Sequence, residues 1–137
     1  MRKWLLIVLF IFVANSASAQ KSAVKRAQDN FEKAQILLKQ DQFDAAVSSL
    51  EETIKYDPEF QYAYVQLGDL NRRLKEFQKA KSAYLKAINL KGTIDPRVYF
   101  GLAESEVGTG DYVNGLKHIQ TFIKEYKGNE QAHAESF

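Results

Sequence analysis

The sequence has 137 residues, of which 45% are hydrophobic and 26% charged, which indicates a single soluble globular domain. Its 19 basic and 17 acidic residues leave it close to neutral, so it has no general electrostatic attraction for nucleic acid, and we expect no nucleic-acid partner. The absence of cysteine excludes disulfide bonds and a lipid-anchored cysteine near the N-terminus, so stability must come from packing.

The N-terminal segment has the pattern of a cleavable signal peptide. Arg2 and Lys3 precede an apolar run over residues 4–13, which is about half of the roughly 20 residues that a membrane-spanning helix needs. A small-residue sequence, Ala-Ser-Ala, ends at Ala19. We predict cleavage there, which leaves Gln20 first, 17 basic against 17 acidic residues, and no membrane span. An uncleaved membrane anchor is the alternative.

The remaining sequence repeats itself. The pairs that recur after 34 residues are Phe43 and Phe77, Ala46 and Ala80, Leu50 and Tyr84, and Ala34 and Gly68. The pairs that recur after 35 residues are Phe77 and Tyr112, and Leu67-Gly68 and Leu102-Ala103. A fixed period of this length predicts an array of similar structural units.

Within each copy, apolar residues at helical spacing predict two helices. The six predicted helices cover residues 22–40, 43–56, 61–74, 77–90, 96–107 and 112–126. Small residues at Ala34, Gly68 and Ala103 are expected where the two helices of a hairpin approach closely. Asp95-Pro96 is expected to start the fifth helix, Gly108 and Gly110 to form the turn after it, and Asp111 to cap the sixth.

The second copy resembles the tetratricopeptide repeat, with Tyr64-x2-Leu67-Gly68 followed by Ala80-x3-Tyr84 and Ala87. Asn71 and Glu106 depart from the family, which usually has an aromatic residue there. The resemblance implies an all-α, right-handed α-solenoid of three hairpins, over about residues 27–60, 61–95 and 96–129 of a domain at 20–137, plus a partial capping helix at 130–137. Similar 35-residue hairpins that read RNA are the rival, which the signal peptide and the neutral charge disfavour.

No catalytic, cofactor-binding or metal site is predicted. The two histidines, His118 and His133, lie in different elements, and we interpret His118 as a solvated side chain. Gly108-x-Gly110 is too short for a phosphate-binding loop. We therefore predict that the protein is not an enzyme.

The resemblance implies that the first helix of each hairpin lines a concave, protein-binding face. The predicted binding residues are Phe31, Gln35, Leu38, Tyr62, Val65, Asp69, Arg72, Arg73, Arg97, Phe100 and Glu104. Aromatic residues and arginine dominate interface energetics, so we expect a peptide ligand with apolar anchors and some acidic character. The clamp with which chaperone-binding members of the family grip a C-terminal carboxylate is not expected. Of the matching positions (Phe31, Gln35, Gln66, Arg97 and Gly101), only Arg97 has the required character.

The expected role is a protein-interaction scaffold in the envelope of a Gram-negative bacterium, in the periplasm or at the outer membrane. The Ala-Gln cleavage junction resembles those of Bacteroidetes. The order of signal peptide and repeats looks like the N-terminal region of Bacteroidetes outer-membrane proteins that continue into a propeller and an OmpA-like domain. The alternative is a fragment or subunit of an outer-membrane, peptidoglycan-associated or secretion-system assembly that acts through oligomerisation.

The last predicted hairpin leaves an apolar stripe at Leu116, Ile119 and Ile123. In a repeat array such a stripe is covered by the next unit. We expect it to be covered by a partner, by a second copy of the chain in self-association, or by residues beyond 137.

Overall fold

The structure, a computed structural model, describes the backbone of residues 2–134 and the side chains of residues 19–128. Over these residues the protein is all-α, which confirms the predicted fold class. Its six helices are α1 (Arg2–Lys39), α2 (Phe43–Tyr56), α3 (Gln61–Arg73), α4 (Phe77–Asn89), α5 (Arg97–Gly108) and α6 (Tyr112–Ala134).

The chain divides into two compact units, Met1–Pro58 and Glu59–Phe137. The first unit contains the hairpin of α1 and α2. The second contains the hairpins α3–α4 and α5–α6, and there α5 also packs against α3 and α4. Among the described residues, no helix combines the length and the apolarity that crossing a membrane requires.

Helices α2 to α5 begin and end within one residue of their predicted bounds, but α1 is longer than predicted. It begins at Arg2 instead of near residue 22. Residues 2–21 contain neither proline nor glycine, so nothing in this stretch interrupts a helix.

The predicted end of the sixth helix near residue 126 and the separate capping helix from 130 are also wrong. Helix α6 continues unbroken through Gly128 to Ala134. Gly128 lacks the positive φ that ends many helices, and one glycine inside a helix costs only about 1 kcal/mol relative to alanine. Residues 135–137 of the predicted capping helix lie outside the described residues.

The same type of turn joins the two helices in each of the three hairpins. In each, a residue with a left-handed backbone lies two positions before the second helix: Asp41 (φ 56°), Lys75 (φ 61°) and Gly110 (φ 81°). The next residue donates its backbone N–H to a carbonyl five residues back: Gln42 to Leu37 (3.0 Å), Glu76 to Asn71 (2.8 Å) and Asp111 to Glu106 (2.8 Å). This is the Schellman geometry, which satisfies carbonyls at the end of the first helix.

Tyr84 is the centre of the core in the second unit. Its ring is fully buried and lies against the backbone of Gly68, where an added Cβ would come within 2.6 Å of Cδ1. The hydroxyl end lies against Gly101, where an added Cβ would come within 2.6 Å of Oη. The predicted packing role of Gly68 is thereby confirmed, and Gly101 has the same role on α5.

Other small residues play related parts. Gly108, predicted to form the turn, is instead the last residue of α5, and a Cβ there would come within 2.5 Å of the Phe77 ring. Gly110 alone of the two has the positive φ of the turn. In the first unit Ala34 is fully buried, in agreement with its predicted position at a close helix contact.

The two predicted N-terminal caps are present. The Asp95 carboxylate accepts a hydrogen bond from the backbone N–H of Arg97 (2.9 Å), and the Asp111 carboxylate accepts one from that of Asn114 (3.4 Å). Each therefore satisfies a donor that the first turn of a helix leaves unpaired.

Candidate functional site

Helices α3, α5 and α6 of the second unit line a groove with a volume of about 800 Å³. It brings together seven of the predicted binding residues: Tyr62, Val65, Asp69, Arg72, Arg73, Arg97 and Phe100. The groove is also lined by Phe122 and Tyr126 of α6.

Aromatic side chains give the groove its apolar surface. Tyr62 is 57% exposed and Phe100 is 42% exposed, which is high for rings of this size. Phe100 packs at 5.6 Å from Phe122, whose ring lies 5.4 Å from that of Tyr126 (centroid distances). The prediction missed both α6 residues because it considered only the first helix of each hairpin. Their spacing of four residues, which puts them on one face of a helix, was a usable signal.

The charged side chains of the groove are largely matched by opposite charges. The single N–H at Nε of Arg97 is shared between the two oxygens of Asp95, each 3.0 Å away, and hydrogen bonding from this guanidinium holds the pKa of the Asp95 carboxyl below its usual range. Arg97 itself remains exposed to solvent. A ligand carboxylate could therefore reach this guanidinium, but only in competition with Asp95.

Arg72 supports the groove as well as lining it. Its Nη1 lies 2.7 Å from Oε2 of Glu104 on α5, and its Nε donates to the Tyr84 hydroxyl (3.3 Å). That hydroxyl donates to Asp69 (2.6 Å), and burial together with this bond raises the pKa of Tyr84. The predicted binding residues Asp69, Arg72 and Glu104 thus form a polar network that joins α3, α4 and α5.

The three predicted residues of the first unit lie on α1. Phe31, Gln35 and Leu38 are all partly buried. The Nε2 atom of Gln35 is buried and has no hydrogen-bond partner, so it is not available to a ligand. A binding face that includes these α1 residues stays a prediction.

The interpretation of His118 as solvated is wrong. Its Nδ1 lies 2.7 Å from Oε2 of Glu106, which is only 1% exposed, and its ring stacks on Tyr99 at a centroid distance of 6.2 Å. Glu106 lies one repeat after the buried Asn71, and a buried carboxylate needs a hydrogen-bonding partner. Within residues 19–128, no group of three or more histidine, aspartate or glutamate side chains is placed to hold a metal ion.

The sequence comparison identifies the repeat. A profile described as tetratricopeptide repeat matches residues 31–97. These 67 residues, just under half of the chain, are similar to the tetratricopeptide repeat (TPR). TPR domains are protein-interaction scaffolds, and their repeats stack helical hairpins. No curated protein matches the sequence.

The similarity to solved structures covers more of the chain than residues 31–97. MamA superposes with a TM-score of 0.70 at 21% identity, over 79% of this chain and 63% of MamA. The second TPR of Spaghetti (RPAP3) bound to the HSP90 peptide SRMEEVD gives 0.70 at 13% identity, over 77% of this chain and 96% of that one. This chain therefore spans less than two thirds of that MamA structure, and these identities establish a shared fold.

Proposed function

We propose that this protein binds a segment of a partner protein in the groove formed by α3, α5 and α6, and that it does so without catalysis. The observation that carries the proposal is the pair of exposed rings, Tyr62 and Phe100, which line the same groove in a TPR-like fold. A structural neighbour of the same fold holds a peptide, which supports this use of the fold.

Apolar anchors of the ligand would supply most of the affinity. Burying one large apolar side chain contributes roughly 1.5–3 kcal/mol, and aromatic contacts add further stabilisation. Tyr62 on α3 and the cluster of Phe100, Phe122 and Tyr126 on α5 and α6 offer two such anchor sites. An extended segment or one helical face would place apolar residues at both.

Charged groups of the groove would contribute more to the orientation of the ligand than to its affinity. Arg72 is paired with Glu104 and Arg97 with Asp95, so the groove has little uncompensated charge on these two arginines. An acidic ligand residue would exchange with Asp95 at Arg97, and exposed ion pairs contribute at most about 1 kcal/mol. We therefore propose acidic character in the ligand as a secondary preference, in addition to the apolar anchors.

Selection of peptides from a display library, with the purified protein as bait, tests the groove directly. The enriched peptide is then titrated against the protein and two variants. Tyr62→Ala should raise the Kd at least about 10-fold, since truncating an aromatic hot-spot residue costs about 2 kcal/mol or more. Arg72 is unsuitable for this test because its loss would also disturb the network around Tyr84.

The control is Val113→Ala, which removes an exposed apolar side chain that does not line the groove. It should leave the Kd unchanged. Peptides that lose affinity for the Val113 variant and keep it for the Tyr62 variant would contradict the proposal.

We also propose that the protein works in the periplasm or at the outer membrane of a Gram-negative bacterium. The basic start, the short apolar run and the small residues before Gln20 support export. The balanced charge of the chain after cleavage is compatible with a protein partner and offers no attraction for nucleic acid.

A further inference from the structure

A second apolar surface lies on the last hairpin, and none of its residues lines the peptide groove. We call it the end face, and it consists of Val107 on α5 and Tyr112, Leu116, Ile119 and Ile123 on α6. Leu116 is 60% exposed and Val107 is 50% exposed. All of the end-face residues except Ile123 line a hollow of about 540 Å³, together with Phe77 of α4. So much exposed aliphatic surface is unusual unless it serves as an interface.

The preceding hairpin shows how the equivalent surface is covered. Counting back 35 residues, Tyr112, Leu116 and Ile119 correspond to Phe77, Lys81 and Tyr84. In the second hairpin α5 covers that side, with Gly101 against Tyr84 and Gly108 against Phe77.

The end face is also more apolar than the covered face that precedes it. Lys81 forms an ion pair with Asp111, and Arg72 forms one with Glu104. The residues at the equivalent positions of the end face are Leu116 and Val107, which can form no such pairs. The occupant must therefore offer apolar side chains where α5 and its following turn offer carboxylates.

A head-to-tail arrangement of copies does not meet this requirement. The helix that would take the place of α5 is α1 of another copy, and it has the exposed charged residues Glu32 and Lys39 at the positions of Gly101 and Gly108. The end-face equivalents of Tyr84 and Phe77 are Ile119 and Tyr112, so the charges of Glu32 and Lys39 would be buried against apolar side chains without partners.

The end face is, by contrast, complementary to itself. Tyr112, Leu116, Ile119 and Ile123 follow one another at intervals of four, three and four residues, an order that is the same in both directions. Two antiparallel copies of α6 would place Leu116 against Ile119 and Tyr112 against Ile123, as a two-fold interface requires. The same register faces Asp111 with Lys124, so the flanking charges are opposite.

We propose that two copies of this chain associate through their end faces, with their α6 helices antiparallel. Light scattering coupled to size exclusion, over a range of concentrations, should give twice the mass of one chain. Leu116→Lys introduces the residue that the second hairpin carries at Lys81. It should raise the dissociation constant of the dimer at least about 100-fold, because each dimer loses two buried leucines.

The matched control is Val113→Gln, which introduces the residue found at Gln78. Val113 is 82% exposed on the same helix but lies off the stripe, so this variant should keep the mass of the dimer. Unchanged circular dichroism of both variants would show that they fold. Tyr62→Ala, the groove variant, should also remain dimeric, which separates this proposal from the peptide site.

Two results would overturn the proposal. One is a dimer that Leu116→Lys leaves intact, or that Val113→Gln dissociates equally well. The other is a chain that stays monomeric at all concentrations tested. Binding of a synthetic peptide of residues 95–109 to the end face of such a monomer would show that a helix like α5 covers it instead.

Discussion

At the scale of single residues, Tyr84 explains why glycine occurs inside two helices. Its ring fills the space beside Gly68, and its hydroxyl lies against Gly101 and binds Asp69 and Arg72. The ring is held at both ends, so it cannot move aside for a methyl group. Glycine is otherwise a poor residue inside a helix, by about 1 kcal/mol relative to alanine.

Two glycine-to-alanine substitutions should therefore change the free energy of unfolding in opposite directions. Gly68→Ala should lower the free energy of unfolding by about 1–3 kcal/mol, because the new Cβ would overlap the Tyr84 ring. Gly128→Ala meets nothing within 4 Å and should raise it by up to about 1 kcal/mol. Urea unfolding of both variants measures this, and equal effects would contradict the packing described for Tyr84.

The buried pair of Glu106 and His118 makes a second prediction. His118→Ala leaves the Glu106 carboxylate buried without its partner, so the free energy of unfolding should fall by about 1–3 kcal/mol. Glu106→Asn copies Asn71, whose amide donates to the carbonyl of Leu67 within its own helix (2.9 Å).

In the Glu106→Asn background, loss of His118 should therefore cost much less than it does in the native chain. A double-mutant cycle by urea unfolding measures this coupling. Additive effects of the two substitutions would show that the pair contributes nothing beyond its separate contacts.

At the scale of helices, the repeat period was sufficient to locate α2 to α5, because apolar spacing and turn residues agreed in each copy. It failed at α1 and α6, where the sequence outside the repeat remains compatible with a helix and supplies no strong stop. The lesson from Gly128 is that a glycine ends a helix only where a left-handed turn is formed, as at Gly110.

The candidate site was predictable in part for the same reason. The resemblance pointed to the first helix of each hairpin, and three of the residues it indicated, Tyr62, Arg97 and Phe100, line the groove. It could not indicate Phe122 and Tyr126, because their place in the groove depends on how α6 packs beside α5. Nor could it show that Arg72 forms an ion pair with Glu104, because a sequence alone does not indicate which charged side chains meet.

The ion pair between Lys81 on α4 and Asp111, the residue before α6, should be sensitive to acid. Hydrogen bonds from Asn114 and from Lys81 lower the pKa of Asp111 to about 2. A carboxyl group whose pKa is lower in the folded state stabilises the fold above its unfolded pKa near 4 and loses this effect as the pH falls towards 2. Asp111→Asn should therefore be less stable than the native chain at pH 7, by a margin that shrinks between pH 4 and pH 2. Urea unfolding at several pH values tests this, and a constant margin would refute it.

At the scale of the whole molecule, export makes a prediction about covalent structure. If residues 1–19 are a signal peptide, protein recovered from the envelope should begin at Gln20. Intact-mass spectrometry of the purified native protein measures this. A mass that retains Met1 to Ala19 would contradict export by this route. Substituting Ala19 with Leu should block cleavage and supplies the control, because signal cleavage requires a small residue there.

The central claim is that the groove of α3, α5 and α6 holds a peptide. The most direct measurement is NMR of the ¹⁵N-labelled protein during titration with the peptide selected by display. The backbone signals of Tyr62, Arg97, Phe100 and Phe122 should shift progressively and saturate together. Signals of residues outside the groove on α4, such as Lys79 and Lys86, should stay in place. Shifts confined to α4 or to the end face, with the groove signals unchanged, would contradict the claim.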